Sequence, residues 1–430
     1  MMHFSIYTLG CKVNQYETQA MEQILTQRGH VERSWDEACD AYIINTCTVT
    51  AVSDKKSRNM IRRVRRQNPA AVVAVCGCYA QVEPEAVEAL DVDVVAGTGG
   101  RVAFLDAVEA AVSEKQRSYA VDDALRRRTF EVLPAGGMAE RTRAMLKVQD
   151  GCSNFCTYCI IPYARGPVRS LPLEEAVAQA REVAQAGYRE MVVTGIEISS
   201  WGRDLPEKPP LWKLLSAICE SAPAVRVRLG SLEPRTVDED FCQALAGFQN
   251  LCPQFHLSLQ SGSDTVLTRM HRRYSTARYL ESVALLRRYF PGCAVTTDLI
   301  VAFPGETEEE FRESLDFLRT CAFSKVHVFP YSRRAGTPAA KMPGQHTNEE
   351  KEARSARALA VASALEEAYQ RDMVGKEYPV LFEEMHGEMA VGHAPNYVLV
   401  HVAAEIPRNT LATVRVTGLC PGGVVGEIAG

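Results

Sequence analysis

Three closely spaced cysteines are the residues of this sequence best suited to chemistry. Cys152, Cys156 and Cys159 stand as C-x3-C-x2-C within the segment Gly151–Ser170. Three thiolates can bind three irons of a four-iron, four-sulfur cluster and leave the fourth iron open to chelate a small molecule. A zinc site would need a fourth Cys or His nearby, and the loop contains no His. Three unrelated buried thiols are the other alternative. The spacing therefore predicts an iron–sulfur cluster with an open iron.

The chain as a whole has the composition of a globular protein. It has 430 residues, enough for two or three domains, and 46% hydrophobic and 23% charged residues. Because it has no apolar stretch of about 18 residues and no signal-peptide pattern, we expect a cytoplasmic protein without a membrane partner. Its fourteen cysteines are then metal ligands or reduced core thiols rather than disulfides. With a net charge of −5, nucleic-acid binding would require a local basic patch.

Residues 1–115 are predicted to form a doubly wound α/β domain with a parallel sheet. The strand-like runs are Phe4–Leu9, Ala41–Asn45, Val72–Cys76 and Val92–Val95, and helical patterns such as Tyr16–Arg28 lie between them. This alternation is typical of parallel strands joined by helices. Ligands of such sheets bind outside the carboxyl ends of the strands.

Three further cysteines follow strands of this first domain. Cys11, Cys47 and Cys78 each lie after one of the strand-like runs, so the fold would bring them to one sheet edge as a second metal cluster. Ordinary buried cysteines are the alternative, because Cys39 and Cys76 show how freely the chain uses this residue. Cys76 lies two residues before Cys78, which would point both side chains to the same face of a strand.

A basic segment follows Cys47. Its seven cations occur within twelve residues that include no acid: Lys55, Lys56, Arg58, Arg62, Arg63, Arg65 and Arg66. A solvated helix face is one interpretation. The other is a helix that binds RNA phosphates through Lys55, Lys56, Arg58, Arg62, Arg63 and Arg66, with salt-dependent affinity.

After a linker at 116–137, residues 138–370 are predicted to form an incomplete (β/α)6 barrel with a trailing helix. Its strand-like runs are Met145–Val148, Met191–Thr194, Val225–Leu229, Phe255–Leu259, Ala294–Ile300 and Lys325–Phe329, with helices such as Leu173–Ala186 between them. Barrels of parallel strands place their chemistry at the carboxyl ends of the strands. The cysteine loop follows the first of these strands.

Polar residues recur at the same end of the later strands. They are Gly195 and Glu197 after the second strand, Ser231 and Glu233 after the third, Gln260 after the fourth, Asp298 in the fifth unit and Arg333 after the sixth. Ser231 and Glu233 suit sugar hydroxyls, and the planar fork of Arg333 suits a carboxylate. Loop capping explains any one of these residues, but their recurrence favours a binding site. His256 is interpreted as a satisfied core histidine.

The tail, residues 371–430, is predicted to be a small antiparallel β-barrel. Before it, Thr347 and Glu350 form a capping box that begins an alanine-rich helix, and Gly375 stops that helix. Five short alternating runs follow, among them Tyr378–Phe382, Tyr397–Val402 and Thr413–Val416, with Gly and Pro between them.

The motifs TLGCKVNQYET, NTCTVT, GCYAQ and KVQDGCSNFCTYCIIPYARG resemble those of the radical S-adenosylmethionine methylthiotransferases, nearly end to end. Tyr158, the aromatic residue before the third loop cysteine, belongs to this resemblance. It implies an auxiliary [4Fe-4S] cluster on Cys11, Cys47 and Cys78, because the position followed by Tyr-Ala-Gln is the family ligand. It also implies that the [4Fe-4S] cluster on Cys152, Cys156 and Cys159 binds S-adenosylmethionine, with Gly195 and Glu197 near the amino group of the cofactor. The tail is implied to be a TRAM-like RNA-binding barrel.

The resemblance also implies a reaction. The TLGCKVNQYET motif is most similar to the branch that adds a methylthio group to carbon 2 of threonylcarbamoyladenosine at position 37 of tRNA. The expected partners are the anticodon stem-loop and an electron donor such as flavodoxin or ferredoxin. Isopentenyladenosine in tRNA and an aspartate of a ribosomal protein are alternative substrates. An iron–sulfur RNA-binding protein without turnover is an alternative of another class.

One segment departs from the family pattern. Arg165 to Arg169 read Arg-Gly-Pro-Val-Arg, where related enzymes carry a more continuous run of arginine and serine. Pro167 stiffens the chain and removes a donor. Substrate contacts of the family are therefore not carried over to this loop. The sequence does not indicate an oligomeric state.

Overall fold

The computed structural model describes residues 1–135 and 142–429, and they begin with a doubly wound α/β domain. Its elements are β1 (His3–Thr8), α1 (Lys12–Gln27), β2 (Val31–Glu32), β3 (Ala41–Thr46), α2 (Ala51–Gln67), β4 (Val72–Gly77), α3 (Cys78–Val82), α4 (Pro84–Glu88), β5 (Val94–Ala96), α5 (Arg101–Glu114) and β6 (Ser118–Ala120). The sheet has the order β2-β1-β3-β4-β5-β6, and every pair of neighbours is parallel.

Alternate residues of these strands are buried under helices on the two faces of the sheet. Helices α1 and α5 cover one face with Met21, Leu25 and Phe104. Helices α2 to α4 cover the other face, where Ile61 and Tyr79 pack. Both faces are apolar because a parallel sheet with helices on each side has no face in water. The predicted doubly wound arrangement is confirmed.

The second unit is an incomplete barrel whose six predicted strands are all present. Its elements are β7 (Arg143–Asp150), α6 (Ile161–Arg165), β8 (Arg169–Ser170), α7 (Leu173–Gln185), β9 (Glu190–Gly195), α8 (Leu211–Ser221), β10 (Arg226–Leu229), β11 (Ser231–Leu232), α9 (Glu239–Leu245), β12 (Gln254–Leu257), α10 (Asp264–Arg269), α11 (Thr276–Tyr289), β13 (Ala294–Val301), α12 (Glu308–Cys321), β14 (Lys325–Pro330) and α13 (Asn348–Arg371). The strands form two four-stranded sheets, with the orders β10-β9-β7-β8 and β11-β12-β13-β14. An isolated β-bridge between Val227 and Leu251 connects the two sheets.

The segment before the barrel packs against its wall. Leu133 is buried in the barrel core, and its carbonyl accepts a hydrogen bond of 2.6 Å from the Tyr16 hydroxyl of α1. The predicted boundary between linker and barrel, at residues 137 and 138, lies outside the described residues. The described part of the linker therefore joins α1 to the barrel.

Helix α13 leads to a closed barrel of five strands. The Thr347 side chain and Glu350 form the predicted capping box at the start of α13. The strands are β15 (Glu377–His386), β16 (Met389–His393), β17 (Leu399–Val402), β18 (Thr410–Cys420) and β19 (Gly423–Ile428), in the order β15-β16-β17-β19-β18. All neighbours are antiparallel except β17 and β19, which are parallel. A closed ring with an odd number of strands cannot alternate throughout, so the antiparallel prediction is wrong for this pair.

Charged contacts attach the C-terminal barrel to the (β/α)6 barrel. Arg143 of β7 pairs with Glu383 of β15 at 2.5 Å. Arg228 of β10 donates hydrogen bonds to Glu190 at 2.7 Å and to the carbonyl of Pro395 at 2.8 Å. The C-terminal barrel therefore lies at the end of the lumen where β7, β9 and β10 begin. No helix within the described ranges is long and apolar enough to cross a membrane.

Candidate metal centres and substrate cavity

The loop with Cys152, Cys156 and Cys159 is fixed by backbone hydrogen bonds at the carboxyl end of β7. The amide of Cys152 donates to the carbonyl of Gly166 at 2.9 Å, and the amide of Cys159 donates to the carbonyl of Cys156 at 2.9 Å. Gly151 has φ +73°, and a Cβ atom there would lie 2.0 Å from the carbonyl oxygen of Pro167. Only glycine fits this close approach. The Arg-Gly-Pro segment that departs from the family pattern thus supplies backbone acceptors to the cysteine loop.

A cation lies against the sulfur of the middle cysteine. Arg272 donates from Nη1 to Sγ of Cys156 at 3.3 Å, and its Nε donates to the Tyr274 hydroxyl at 3.0 Å. Burial raises the pKa of Cys152 and of Cys159 to about 12, while the positive charge of Arg272 opposes this rise. A guanidinium that donates to sulfur favours thiolate, which is the form that binds iron. The donor set therefore fits an iron–sulfur cluster.

Tyr158 forms part of the wall beside this loop. It is half-buried and lies edge-on to Phe303, with ring centroids 6.5 Å apart. Phe303 in turn packs on Tyr331 with centroids 5.5 Å apart. The aromatic residue of the motif thus fixes the cysteine loop to the β13 and β14 ends of the barrel.

The structure places the other three cysteines together at the carboxyl edge of the first sheet. Cys11 is the N-cap of α1, Cys47 follows β3, and Cys78 is the first residue of α3. Gly10, with φ +107°, has no room for a side chain, because a Cβ atom would lie 2.9 Å from Sγ of Cys47. Burial raises the pKa of Cys78 to about 12. The positive charge of Arg165 opposes this rise, whereas the nearby Cys11 and Cys47 add to it.

Cys76 has a different environment. It is fully buried in the apolar layer under α1 and α5, together with Met21 and Phe104, and burial raises its pKa to about 11. Strand β4 ends at Gly77, where φ is +98°, and Cys78 already belongs to α3. The side-chain alternation of a strand therefore does not extend to Cys78, and the prediction that the two cysteines share a face has no structural basis.

Neither cysteine triad has the compactness of a single-ion site. Among the described residues, the one group of three possible ligands whose donor atoms all lie within 4.8 Å of one another is His256, Asp298 and His327. Sulfur ligands of one zinc ion lie about 2.3 Å from the metal and hence close together. The donor atoms of both triads are therefore spaced more widely than the sulfur ligands of one zinc ion would be.

A buried ionic network joins the two cysteine regions. Arg165, at the end of α6, pairs with Glu17 of α1 at 2.5 Å and donates to Oδ1 of Asn14 at 2.7 Å. Glu17 also pairs with Arg101 at 2.8 Å and Lys147 at 3.2 Å. Burial alone would raise the pKa of Glu17, but these cations hold it well below its usual range. The network fixes α1, which begins after Cys11, against the strand that precedes Cys152.

A second ionic contact crosses between the same two domains. Arg334 is buried and donates to Asp54 at 2.6 Å and to the Thr48 hydroxyl at 2.6 Å, just after Cys47. Arg333, the residue predicted to bind a carboxylate, is exposed, and its Nε donates to the carbonyl of Ala340 at 2.9 Å. The sequence predicted that Arg333 binds a carboxylate, but in the structure the adjacent Arg334 pairs with the carboxylate of Asp54.

A cavity of about 880 Å³ lies between the first domain, the (β/α)6 barrel and the C-terminal barrel. Four of the predicted site residues line it, namely Cys11, Gly195, Ser231 and Asp298. Ile161, two residues after Cys159, also lines the cavity. The two cysteine regions therefore border the same cavity.

The remaining predicted residues lie near the ends of the same strands. Oε2 of Glu197 accepts a short hydrogen bond from Ser200, whereas its Oε1 is buried and has no hydrogen-bond partner among the described residues. Such an oxygen fits an ammonium group of a ligand. Glu233 pairs with Arg235 at 2.8 Å, and Gln260 adopts φ +70° beside β13.

His256 has both ring nitrogens satisfied, as the sequence suggested, but it also lines the cavity. Its Nδ1 lies 3.0 Å from the Thr296 hydroxyl, and its Nε2 lies 3.2 Å from Oδ2 of Asp298. Asp298 is therefore held by a histidine at the inner face of β12. No pattern in the sequence separated this histidine from an ordinary core residue.

The basic helix α2 divides into engaged and free cations. Arg65 is engaged with Asp93 at 2.7 Å, Arg58 donates to the Tyr79 hydroxyl at 3.1 Å, and Arg63 lies 3.3 Å from Asp36. The free cations are Lys55, Lys56, Arg62 and Arg66, whose side chains are exposed; Arg63 is exposed as well, although it pairs with Asp36. A positively charged surface thus follows Cys47 on the first domain.

Comparisons with known proteins agree with this layout. Residues 146–318 match the Radical SAM superfamily, and residues 3–97 match a family described as "Uncharacterized protein family UPF0004". A Bacillus subtilis relative named threonylcarbamoyladenosine tRNA methylthiotransferase MtaB is 41% identical, with 93% of this chain and 90% of the relative covered. A relative of the same name from Thermotoga maritima is 35% identical, with 98% and 95% covered. A Symbiobacterium thermophilum relative named tRNA-2-methylthio-N(6)-dimethylallyladenosine synthase is 33% identical, with 96% and 91% covered.

Solved structures show the same fold at low sequence identity. The radical S-adenosylmethionine methyltransferase TsrM from Kitasatospora setae superposes with a TM-score of 0.57 at 16% identity, covering 84% of this chain and 89% of that chain. This likeness supports the arrangement of the barrel.

Proposed function

The chain belongs to the radical S-adenosylmethionine tRNA methylthiotransferases, and we propose that it converts threonylcarbamoyladenosine at position 37 of tRNA to its 2-methylthio derivative. Members of this family are transferases that use S-adenosylmethionine and an iron–sulfur cluster. The observation that carries the proposal is that Cys11 of one triad and Ile161, two residues after Cys159 of the other triad, line the same cavity. The 41% identity to the Bacillus subtilis relative supports the choice of substrate.

The two triads are assigned different tasks. Cys152, Cys156 and Cys159 would hold the [4Fe-4S] cluster that binds and reduces S-adenosylmethionine. Cys11, Cys47 and Cys78 would hold an auxiliary [4Fe-4S] cluster that carries sulfur. Together with two S-adenosylmethionine molecules, these cofactors supply a carbon radical, sulfur and a methyl group, which is chemistry that no side chain provides.

Other residues would bind and orient the cofactor and the base. The unpaired Oε1 of Glu197 suits the amino group of S-adenosylmethionine. Gly195 lines the cavity and packs directly on Gln149, because a Cβ atom there would lie 2.8 Å from the carbonyl oxygen of Gln149. Ser231 and Asp298 offer hydrogen-bonding groups in the cavity. Tyr158, Glu233, Gln260 and Arg333 remain proposed cofactor contacts.

The anticodon stem-loop would lie across the mouth of the cavity. The exposed cations of α2 and a TRAM-like barrel at 371–430 would bind its phosphates. Residues 1–115 would form the auxiliary-cluster domain, residues 116–137 the linker, and residues 138–370 the radical S-adenosylmethionine domain. An electron donor of the flavodoxin or ferredoxin class would reduce the cluster.

Mass analysis of nucleosides tests the proposal. Anticodon stem-loops with threonylcarbamoyladenosine or isopentenyladenosine are incubated anaerobically with reconstituted protein, reductant and S-adenosylmethionine. We expect a methylthio mass gain on the first RNA alone. A gain on the second RNA alone would transfer the reaction to the other tRNA branch. No gain on either RNA, with deoxyadenosine released, would contradict a tRNA substrate and direct the search to the ribosomal-protein aspartate.

A further inference from the structure

The cavity contains a lysine at an unusual position. Lys12 follows Cys11, lines the cavity and is the first residue of α1. The amino end of a helix is electropositive, so a cation there is unfavourable by about 0.3–1 kcal/mol. No acidic residue lies in the first turn of α1 to offset it. The fold therefore accepts an electrostatic cost to keep this cation in the cavity.

Lys12 also lacks a counter-ion. Within the described residues it forms no ion pair or hydrogen bond, and its electrostatic neighbours are Tyr397, Arg228, Arg143 and Glu190. Both oxygens of Glu190 are engaged by other cations, Oε1 by Arg228 at 2.7 Å and Oε2 by Arg226 at 2.5 Å. Glu190, the carboxylate among these electrostatic neighbours, is thus already neutralised by other cations.

The charge around Lys12 is positive in sum. Lys12 and its neighbours make a group of four cations and only two carboxylates. The cations are Lys12, Arg143, Arg226 and Arg228, and the carboxylates are Glu190 and Glu383. Elsewhere in the cavity Lys325 pairs with Glu366 at 3.1 Å, and Asp298 lies 3.2 Å from Nε2 of His256. The uncompensated positive charge of the cavity is therefore concentrated near Lys12.

We propose that this end of the cavity binds an anionic substituent on N6 of the target adenine, with Lys12 as the partner of its carboxylate. The inference rests on the proposed function and adds the group that selects the substrate. Threonylcarbamoyladenosine carries a carboxylate on N6, whereas isopentenyladenosine carries a hydrocarbon there. A hydrocarbon would leave Lys12 without a partner in a partly desolvated cavity, which is unfavourable.

The position of Lys12 agrees with the geometry of the base. Carbon 2, which receives the methylthio group, and N6 lie on different sides of the adenine ring. With carbon 2 toward the cluster at Cys11, N6 would enter the lumen, where Thr194, Gln254 and Thr296 also line the cavity. These side chains offer hydrogen bonds to the carbamoyl and hydroxyl groups of the same substituent.

The test compares RNAs that differ in one charge. Two anticodon stem-loops of equal sequence carry threonylcarbamoyladenosine or its analogue in which a carboxamide replaces the carboxylate. Their Kd values are measured by fluorescence anisotropy with the reconstituted full chain at fixed salt. We expect the wild-type protein to bind the carboxylate RNA about 10- to 100-fold more tightly, as for a charge-assisted hydrogen bond of about 1.5–3 kcal/mol.

The preference should depend on the charge at position 12. Lys12→Met should bind both RNAs with nearly equal Kd, and Lys12→Arg should keep most of the preference. Lys213→Met removes an exposed lysine that lies over the Trp212 ring, outside the cavity, and should behave as wild type. Iron content is measured for each variant, because loss of the cluster in Lys12→Met would assign the lysine to the cluster and overturn the inference.

The outcomes separate this inference from the proposed function. Equal binding and equal methylthiolation of the two RNAs by the wild-type protein would overturn the role of Lys12 and keep the reaction. A carboxylate preference that survives in Lys12→Met would also overturn it. Methylthiolation of neither RNA, together with a carboxylate preference that Lys12→Met abolishes, would support the binding site and contradict the reaction.

Discussion

The two cysteine-bearing segments reach one cavity, through Cys11 and Ile161, but the chain builds the two triads in different ways. Cys152, Cys156 and Cys159 lie on one loop of a few residues, whereas Cys11, Cys47 and Cys78 come from three separate connections of the first sheet. The spacing of the cysteines alone predicts the loop triad. The other triad exists only once a parallel sheet has formed, so its geometry depends on the whole first domain. The auxiliary site should therefore be the more sensitive of the two to changes in packing.

An arginine lies near each triad, and these two arginines make different contacts. Arg272 donates directly to Sγ of Cys156, so it acts on one of the proposed cluster ligands. Arg165 lies beside Cys78, where its charge and a side-chain hydrogen bond oppose the rise in the pKa of that thiol, but it also bonds to Glu17 and Asn14 across the boundary between domains. We infer that Arg272 tunes the loop cluster and that Arg165 positions the auxiliary one.

Loss of one ligand from each triad should give the largest effect. Cys78→Ala and Cys156→Ala should each lose about half of the iron, because each removes one of three ligands of a single cluster. Iron and sulfide analysis after anaerobic reconstitution measures this loss. Cys76→Ala, a buried cysteine in the adjacent strand, should keep all of its iron; a loss like that of Cys78→Ala would make Cys76 a ligand.

Arg165→Met should produce the next largest effect. The substitution leaves the buried Glu17 and Asp150 short of a cation, and breaking such a buried network costs about 3–5 kcal/mol. Denaturant unfolding of the full chain measures the change in free energy. Arg319→Met, which removes an exposed ion pair with Asp316, should cost under about 1 kcal/mol. Equal effects of the two variants would contradict the positioning role.

The same network predicts a pH dependence. The pKa of Glu17 is held well below its ordinary value of 4.5. Its stabilising contribution is therefore full above pH 4.5 and is lost as the pH falls through the folded-state pKa. The difference in unfolding free energy between wild type and Arg165→Met should be the same at pH 7 and pH 6 and shrink only below pH 4.5. A difference that disappears by pH 6 would exclude Glu17 as its source.

The basic helix α2 follows Cys47 of the auxiliary triad. Charge reversal in α2 should lower the affinity for RNA and leave the iron content unchanged. Arg62→Glu, Arg63→Glu and Arg66→Glu together should lower the affinity for the anticodon stem-loop about tenfold or more at low salt and flatten its salt dependence. The same change at Arg312, Arg319 and Arg357 of the outer helices α12 and α13 is the control. Equal RNA affinity of both triple variants would show that α2 is a solvated face.

The smallest expected effect is a shift in reduction potential. Arg272→Met removes the hydrogen bond and the positive charge beside Cys156, which should lower the potential of the loop cluster. If the contact favours the reduced cluster by about 1.4 kcal/mol, the shift is about 59 mV for one electron. Electron paramagnetic resonance during a redox titration measures it, and Arg272→Lys should shift less. An unchanged potential in Arg272→Met would contradict the tuning role.

Much of this architecture could be predicted from local signals. The six barrel strands, the capping box at Thr347 and the spacing of the cysteine loop are local properties of the sequence. The parallel pair in the C-terminal barrel follows from its five strands. Arg272 and Arg334 act through contacts with distant segments, and Lys12 lies near charged residues of the barrel that are distant in sequence; the sequence gives no local sign of these arrangements. Their roles became visible only when the domains were seen together.

The most direct test of the central claim is to measure both products in the two cysteine variants. Deoxyadenosine and methylthio nucleoside are quantified after anaerobic reaction of Cys78→Ala and Cys156→Ala with threonylcarbamoyladenosine RNA. We expect Cys78→Ala to release deoxyadenosine without forming methylthio nucleoside, and Cys156→Ala to form neither product. Methylthio nucleoside from Cys78→Ala would contradict the assignment of sulfur insertion to the auxiliary triad.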